Sequence, residues 1–226
     1  MQWEYTKAGQ FHIQSERSCQ DRILYRDGER YAAAAVSDGA TGCSFSEIGA
    51  EAVCCAAVNY FNDGEVFSDH YSEEKVAYLL NEYILYVLEK TAENNGQSAS
   101  DYACTLAAVC IDKRQKRAVA VNLGDGAVLR VKNRAVGAWL GPHRINDQPC
   151  LFPDRESGRH IRVKYFDLSD QDTLLLCTDG FLYEYGIPDH EELREAVKSL
   201  DFLHVNDLLD KIDHEDDLSY VAISDF

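Results

Sequence analysis

The chain has 226 residues, room for one large domain or two small ones. Hydrophobic residues are 46% of it and aromatics 11%, too rich for disorder, and a domain of this size buries roughly 70–75% of its unfolded surface. The 22 basic against 39 acidic residues give a formal charge of −17, which argues against nucleic acid and anionic membrane as main partners.

In chain order, short strand-like runs come first: Phe11 to Gln14, Arg22 to Arg26 and Tyr31 to Ser37. Ser46 then opens a helix, with Ile48, Val53, Ala56, Ala57 and Tyr60 along one side. Ser72 opens a second, with Val76, Leu79, Leu80, Tyr83, Ile84, Val87 and Leu88 at helical spacing. The run NNGQSAS breaks the pattern. Strands resume at ACTLAAVCID, RAVAVNLGD and AVLRVKN, and residues 137–160 form a long irregular segment with three of the four prolines. Strands RVKYFDL and DTLLLCTD follow, then a loop. Helices near Glu191–Leu200 and His204–Ile212 and a last strand, YVAIS, complete the chain.

No repeat or linker divides the chain, so one domain over 1–226 is expected. Strands, two helices, strands, two helices and a strand suggest helices packed outside a β-sandwich. The cysteines at 19, 43, 54, 55, 104, 110, 150 and 177 form no CxxC pair, which argues against a zinc ribbon. Most lie in apolar runs and read as small buried hydrophobes in a reducing compartment. With no signal-peptide core and no apolar run near roughly 20 residues, a cytoplasmic protein is expected.

Aspartates recur at the edges of apolar strands. Asp38 follows YAAAAVS, Asp179 follows TLLLCT, Asp216 and Asp217 precede LSYVAI, and Asp21 precedes RILYR. Strand ends in a packed sheet are held rigidly, so carboxylates from distant segments can converge there. Oxygen-only ligands suit Mg²⁺ or Mn²⁺ rather than zinc. Asp-Gly is also the commonest hairpin signal, and five such pairs occur, at Asp27, Asp38, Asp63, Asp125 and Asp179. Asp38 and Asp179 differ from an ordinary turn because no second strand follows after two residues.

The ordered set CQD (19–21), SDGATG (37–42), ACTLAAV (103–109), NLGDGAVLRV (122–131), LLLCTDGF (174–181) and DDLSYVAI (216–223) resembles the metal-dependent protein phosphatases of type 2C, the PPM family. The resemblance runs from about Gly9 to Ile223 and is nearest to compact bacterial members. It implies an α+β fold, a four-layer α-β-β-α sandwich of two antiparallel sheets flanked by helix pairs. It also implies two Mn²⁺ or Mg²⁺ ions per chain that share a bridging water, which hydrolyses phosphoserine and phosphothreonine in proteins.

Carried over by motif, Asp38 bridges both metals and Gly39 ligates one through its carbonyl. Asp179 and Asp216 bind one metal, and Asp21 supports the other. A third metal would fall to Asp101, ahead of the Thr-rich strand. Asp217 stands where an Asn is usual, Ala40 where many relatives carry a His, and Glu16 where a phosphate-binding Arg is common. His12 is then the candidate general acid and Arg17, one place off, the candidate phosphate ligand. Asp125 reads as a structural turn outside the site. The segment 137–160 takes the place of a variable flap, with a basic patch of His143, Arg144, Arg155, Arg159 and His160. The implied partner is a phosphoprotein made by a Ser/Thr kinase, and the implied state a monomer. A catalytically weak binding scaffold and a small-molecule phosphohydrolase stay open as alternatives.

Overall fold

The computed structural model of the protein describes residues 1–154 and 156–226. In chain order the elements are β1 (Gln2–Lys7), α1 (Gln10–Gln14), β2 (Arg22–Asp27), β3 (Tyr31–Ser37), α2 (Ser46–Tyr60), α3 (Glu73–Asn95), β4 (Leu106–Asp112), β5 (Arg117–Leu123) and β6 (Ala127–Lys132). Then come β7 (Ala135–Leu140), β8 (Arg144–Ile145), β9 (Gln148–Pro149), β10 (Arg162–Asp167), β11 (Thr173–Cys177), α4 (Asp179–Gly186), α5 (Glu191–Ser199), α6 (Phe202–Leu209) and β12 (Leu218–Ile223).

Two five-stranded antiparallel sheets carry the fold. One runs β1-β12-β11-β6-β7 and the other β10-β5-β4-β3-β2. The expected α+β class with two antiparallel sheets is what the chain forms. Side chains alternate across each strand, so both faces of the central strands are apolar. Ala34, Val36, Val109, Ala120, Val128, Leu174, Leu176 and Val221 fill the space between the sheets. Ala33, Ala35, Ala108 and Val121 face the other way, against Val53 and Ala57 of α2 and Leu80, Ile84 and Leu88 of α3. On the opposite sheet Leu129, Leu175, Tyr220 and Ala222 meet Phe181 of α4, Val197 of α5 and Phe202 and Val205 of α6.

Local signals explain much of this. Ser72 caps α3 by accepting from the Lys75 N–H at 3.2 Å, and Gly96 ends it in the left-handed region at φ 67°. Four places differ from the sequence reading. Phe11–Gln14 lies in the short helix α1, with His12 buried, because the turn packs on the Asp216–Asp217 segment through Gln10 N–H to His214 O and Phe11 N–H to Glu215 O. Ser46 is buried and caps nothing, Phe45 takes the cap position, and Ile48 faces solvent. The stretch after Asp179, expected as a loop, is α4, whose apolar side is held by Phe181. Gln2–Lys7, unassigned from the sequence, is an edge strand on β12, with Trp3 against Phe202 at 5.1 Å. Within 137–160, β7 extends to Leu140 and β8 and β9 form a minimal hairpin. Arg155 of the basic patch lies outside the described residues.

Candidate metal centre

One end of the sheet pair collects the aspartates. Asp38 directly follows β3, and its backbone is fixed on both sides by Thr105: the Asp38 N–H donates to Thr105 Oγ1 at 3.0 Å, and the Thr105 N–H donates to Asp38 O at 2.9 Å. Asp179 opens α4 directly after β11, with Thr178 at the cap position. Asp216 sits at the entrance to β12, and Asp21 at the entrance to β2. Four strand ends from distant parts of the chain thereby meet, as the sheets' order dictates.

Carboxylate oxygens of Asp38, Asp125 and Asp179 lie within 4.8 Å of one another. The sequence alone reads Asp125 as a turn outside the site, yet it is buried and belongs to this group. The signal that could have found it was NLGD itself: an Asp held by a strand end beside two apolar sheets, like Asp38 and Asp179. Asp179 shares a cleft of about 210 Å³ with Gly180, Tyr183, His214 and Asp216.

Burial pushes the Asp38 carboxyl well up, and Asp21, Asp179 and Asp216 add repulsion. Asp179 is pushed up to about 6, first by burial and then by Asp125 and Asp216, with Arg144 opposing. Asp21 is raised by burial and by Asp217, against a hydrogen bond from Thr178 Oγ1 at 2.9 Å. Its other oxygen, Oδ1, is buried without a partner. Clustered carboxylates that suppress one another's ionisation, plus an orphaned buried oxygen, are what a hard dication would relieve. The donor set is all oxygen and fits Mg²⁺ or Mn²⁺.

The remaining expected residues fall in three places. Gly39 lies directly behind Asp38 against Ser46, where a Cβ would stand 2.9 Å from the Ser46 backbone. Gly180 is tighter still, since a Cβ would stand 2.0 Å from Asp217 O. Close backbone approach here requires glycine. Arg17 is exposed and donates to Thr41 O at 3.3 Å, beside the loop after Asp38. Asp101 is apart from the Asp38–Asp125–Asp179 group; its carbonyl accepts the Phe45 N–H at 2.9 Å.

His12 does not face the cleft. It is buried, with Nδ1 2.8 Å from Asp217 Oδ1. Asp217, the substitute for the usual Asn, also accepts the Gly9 N–H at 2.9 Å and the Gln20 N–H. Its carboxylate is therefore committed to the chain, while Asp216 stands at the solvent rim. Asp217 ties α1 and the Gln20–Asp21 turn to the start of β12 and so positions two candidate ligands, Asp21 and Asp216.

Among the described residues, Arg144 of the 137–160 segment is the cation that reaches the centre. One guanidinium nitrogen lies 2.7 Å from Asp125 Oδ2 and 3.4 Å from Asp179 Oδ2. Arg159 instead pairs with Glu156 and lines a groove against Glu73 and Asn81 of α3. All eight cysteines are free. Cys19, nearest to Asp21, has its thiol pushed far up by burial and by Asp21 and Asp217, the opposite of a nucleophile's environment. Among the described residues no helix is long and apolar enough to cross a membrane.

A family profile described as Protein phosphatase 2C matches residues 8–215. Among curated proteins none matches by sequence. Three solved structures share the fold at low identity. RsbX in complex with magnesium has a TM-score of 0.64 at 13% identity, covering 98% of this chain and 92% of that one. A bacterial serine phosphatase has a TM-score of 0.67 at 16% identity, covering 100% and 98%. The serine/threonine phosphatase Stp1 from Staphylococcus aureus has a TM-score of 0.63 at 14% identity, covering 100% and 94%. The chain belongs to the protein phosphatase 2C family.

Proposed function

We propose that this member of the protein phosphatase 2C family, a metal-dependent protein phosphatase, hydrolyses phosphoserine and phosphothreonine esters in proteins. The observation that carries the reading is the convergence of Asp38, Asp125 and Asp179 within 4.8 Å at one end of the sheets. In this reading Asp38, the Gly39 carbonyl, Asp179 and Asp216 would hold the cations, and Asp21 would support them with its unpartnered Oδ1. When bound, Mn²⁺ or Mg²⁺ would supply Lewis-acid neutralisation of the phosphoryl oxygens and lower the pKa of a water.

The chain's own residues provide position and charge. Rigid strand ends hold the carboxylates at fixed spacing, which avoids reorganisation during reaction. Arg144 and Arg17 are the cations available to a phosphate, Arg144 by releasing Asp179, where its contact is the longer. Asp101 is the place for a third ion. His12 acts through Asp217 and not as a proton donor to the leaving group. The whole of 1–226 works as one unit, a monomer in the cytoplasm that opposes a Ser/Thr kinase. Its charge of −17 disfavours nucleic acid and anionic lipid.

The test is hydrolysis of a phosphopeptide panel and of p-nitrophenyl phosphate by the metal-stripped protein with added Mn²⁺ or Mg²⁺. Hydrolysis of both substrates that requires the metal and is lost with EDTA is expected. Full activity without metal would overturn the reading. Turnover of p-nitrophenyl phosphate with no phosphopeptide cleaved would move it to a small-molecule phosphohydrolase, and no turnover of either to a binding scaffold.

A further inference from the structure

A second group of ligating atoms lies in the flap, made of nitrogen and sulfur instead of oxygen. Pairing in the β8–β9 hairpin is Arg144 with Pro149 and Ile145 with Gln148. The next residues outward are His143 and Cys150, so the ladder brings them side by side. His160 comes from the turn that follows Ser157–Arg159, just before β10. One ring nitrogen from each histidine and Cys150 Sγ lie within 4.8 Å of one another. All three residues are half-buried, and the two rings are 6.2 Å apart with a 32° tilt.

We propose that His143, Cys150 and His160 form a separate site for a zinc-class dication, which clips the flap shut on itself. Two imidazoles and a thiolate are borderline-soft donors that select Zn²⁺ over Mg²⁺ and Mn²⁺, so the two centres do not compete for the same ion. Zinc bonds of about 2.3 Å to sulfur and 2.0–2.1 Å to nitrogen set these ligand atoms about 3.3–3.6 Å apart. Closing the group by roughly an ångström is within reach of side-chain rotation at half-buried positions. A fourth ligand would come from water. Binding expels the proton of the Cys150 thiol to solvent.

The clip has a route to the acidic centre. The His143 N–H donates to Gly124 O at 2.9 Å, one residue from Asp125. Arg144, the next residue, spans Asp125 and Asp179. A closed clip therefore fixes the backbone that presents Arg144.

The experiment uses the full chain, stripped of metal and then saturated with Mg²⁺ so that the carboxylates are occupied. Co²⁺ is titrated as a spectroscopic stand-in for Zn²⁺. A single equivalent is expected to raise a thiolate-to-cobalt charge-transfer band in the near ultraviolet, which Zn²⁺ then abolishes. Cys150→Ser should lose the band, and His160→Gln should weaken Co²⁺ affinity at least tenfold, since one of three protein ligands is gone. Cys19→Ser and Asp38→Asn should keep the band. Absence of the band in the wild type, its survival in Cys150→Ser, or its loss in Cys19→Ser would each overturn the proposal. The readout is a sulfur–metal transition, so its failure leaves the phosphatase reading untouched.

Discussion

The two ends of the sheet pair handle buried aspartate in opposite ways. Strand β11 has Asp172 just before it and Asp179 two residues after it, and β4 leads from Leu106, next to the Thr105 that holds Asp38, to Asp112, about 20 Å away. Asp172 is fully buried yet titrates below its ordinary value. Burial pushes it up, but the Ser169 N–H at 2.7 Å and a two-pronged Arg130 contact at 2.7 and 2.8 Å outweigh that. Asp112 is likewise lowered despite burial, by N–H groups of Gln115 and Arg114 and by Arg30. Asp179 is raised, first by burial and then by Asp125 and Asp216, with Arg144 and the Gly180 N–H opposing. Burial pushes upward at both ends, so the donors around each carboxylate decide the net direction. The far end is completed by the chain's own donors, whereas the near end gathers like charges with Arg144 as counter-charge, an arrangement a cation would complete.

Breaking the near end should show in activity. Asp38→Asn should lower Mn²⁺-dependent kcat/KM by roughly 10³-fold or more, about 4 kcal/mol of lost metal chemistry. Its metal-free form should melt no lower than the metal-free wild type, because a repelling charge is gone. An Asp38→Asn protein with near-native turnover at saturating metal would remove Asp38 from the centre.

Breaking the far end should show in stability. Asp172→Ala strips the partner from Arg130, which is partly exposed, so the cost is put at about 2 kcal/mol, below that of a fully buried pair. Denaturant unfolding should report that loss while kcat stays within about twofold of wild type, since nothing near the reacting atoms has changed. A large kcat loss with unchanged stability would mean that the two ends are not independent.

The pH response sharpens the contrast by its sign. An unfolded Asp titrates near about 3.9, and Asp179 titrates near 6 in the fold, with Asp21 and Asp38 also raised. The metal-free fold thus binds more protons than the unfolded chain from about pH 4 upward, and its stability falls as pH rises through 6. Asp112 and Asp172 work the other way: their contribution is present above about pH 4 and is lost on acidification. Melting curves between pH 5 and pH 8 should show the metal-free protein losing stability with pH and saturating Mn²⁺ flattening or reversing that slope. An unchanged slope on adding metal would contradict the near-end account.

The smallest effect is expected at Arg144. Arg144→Ala should raise KM for a phosphopeptide about tenfold, the worth of one exposed charge-assisted hydrogen bond, with kcat changed less. Glu in place of Arg159, which is paired with Glu156, should change KM little, and comparing the two variants in steady-state kinetics locates the flap's working cation.

Legibility from the sequence followed the range of the forces. Apolar runs such as YAAAAVS and TLLLC, and the Ser72 cap, are local, so β3, β11 and α3 could be read directly. Phe11–Gln14 reads as strand in the sequence, yet is a helix because it is held by Glu215 and His214, some two hundred residues away. Asp38 and Asp179 stand out because each sits where an apolar run stops, Asp21 and Asp216 because each sits just before one starts. Asp125 does not, because Asp-Gly after a strand is also what any hairpin looks like, and its role depends on which strand end lies opposite.

The pattern of strands, the acidic strand ends and the family follow from order and residue type along the chain. Which aspartates share one point, that His12 turns to Asp217, that Arg144 and not Arg159 meets the acidic centre, and that His143, Cys150 and His160 converge were decided by packing alone. Side-chain period and capping act over a few residues, but convergence depends on sheet order and register, which set distances between segments that carry no local record of one another.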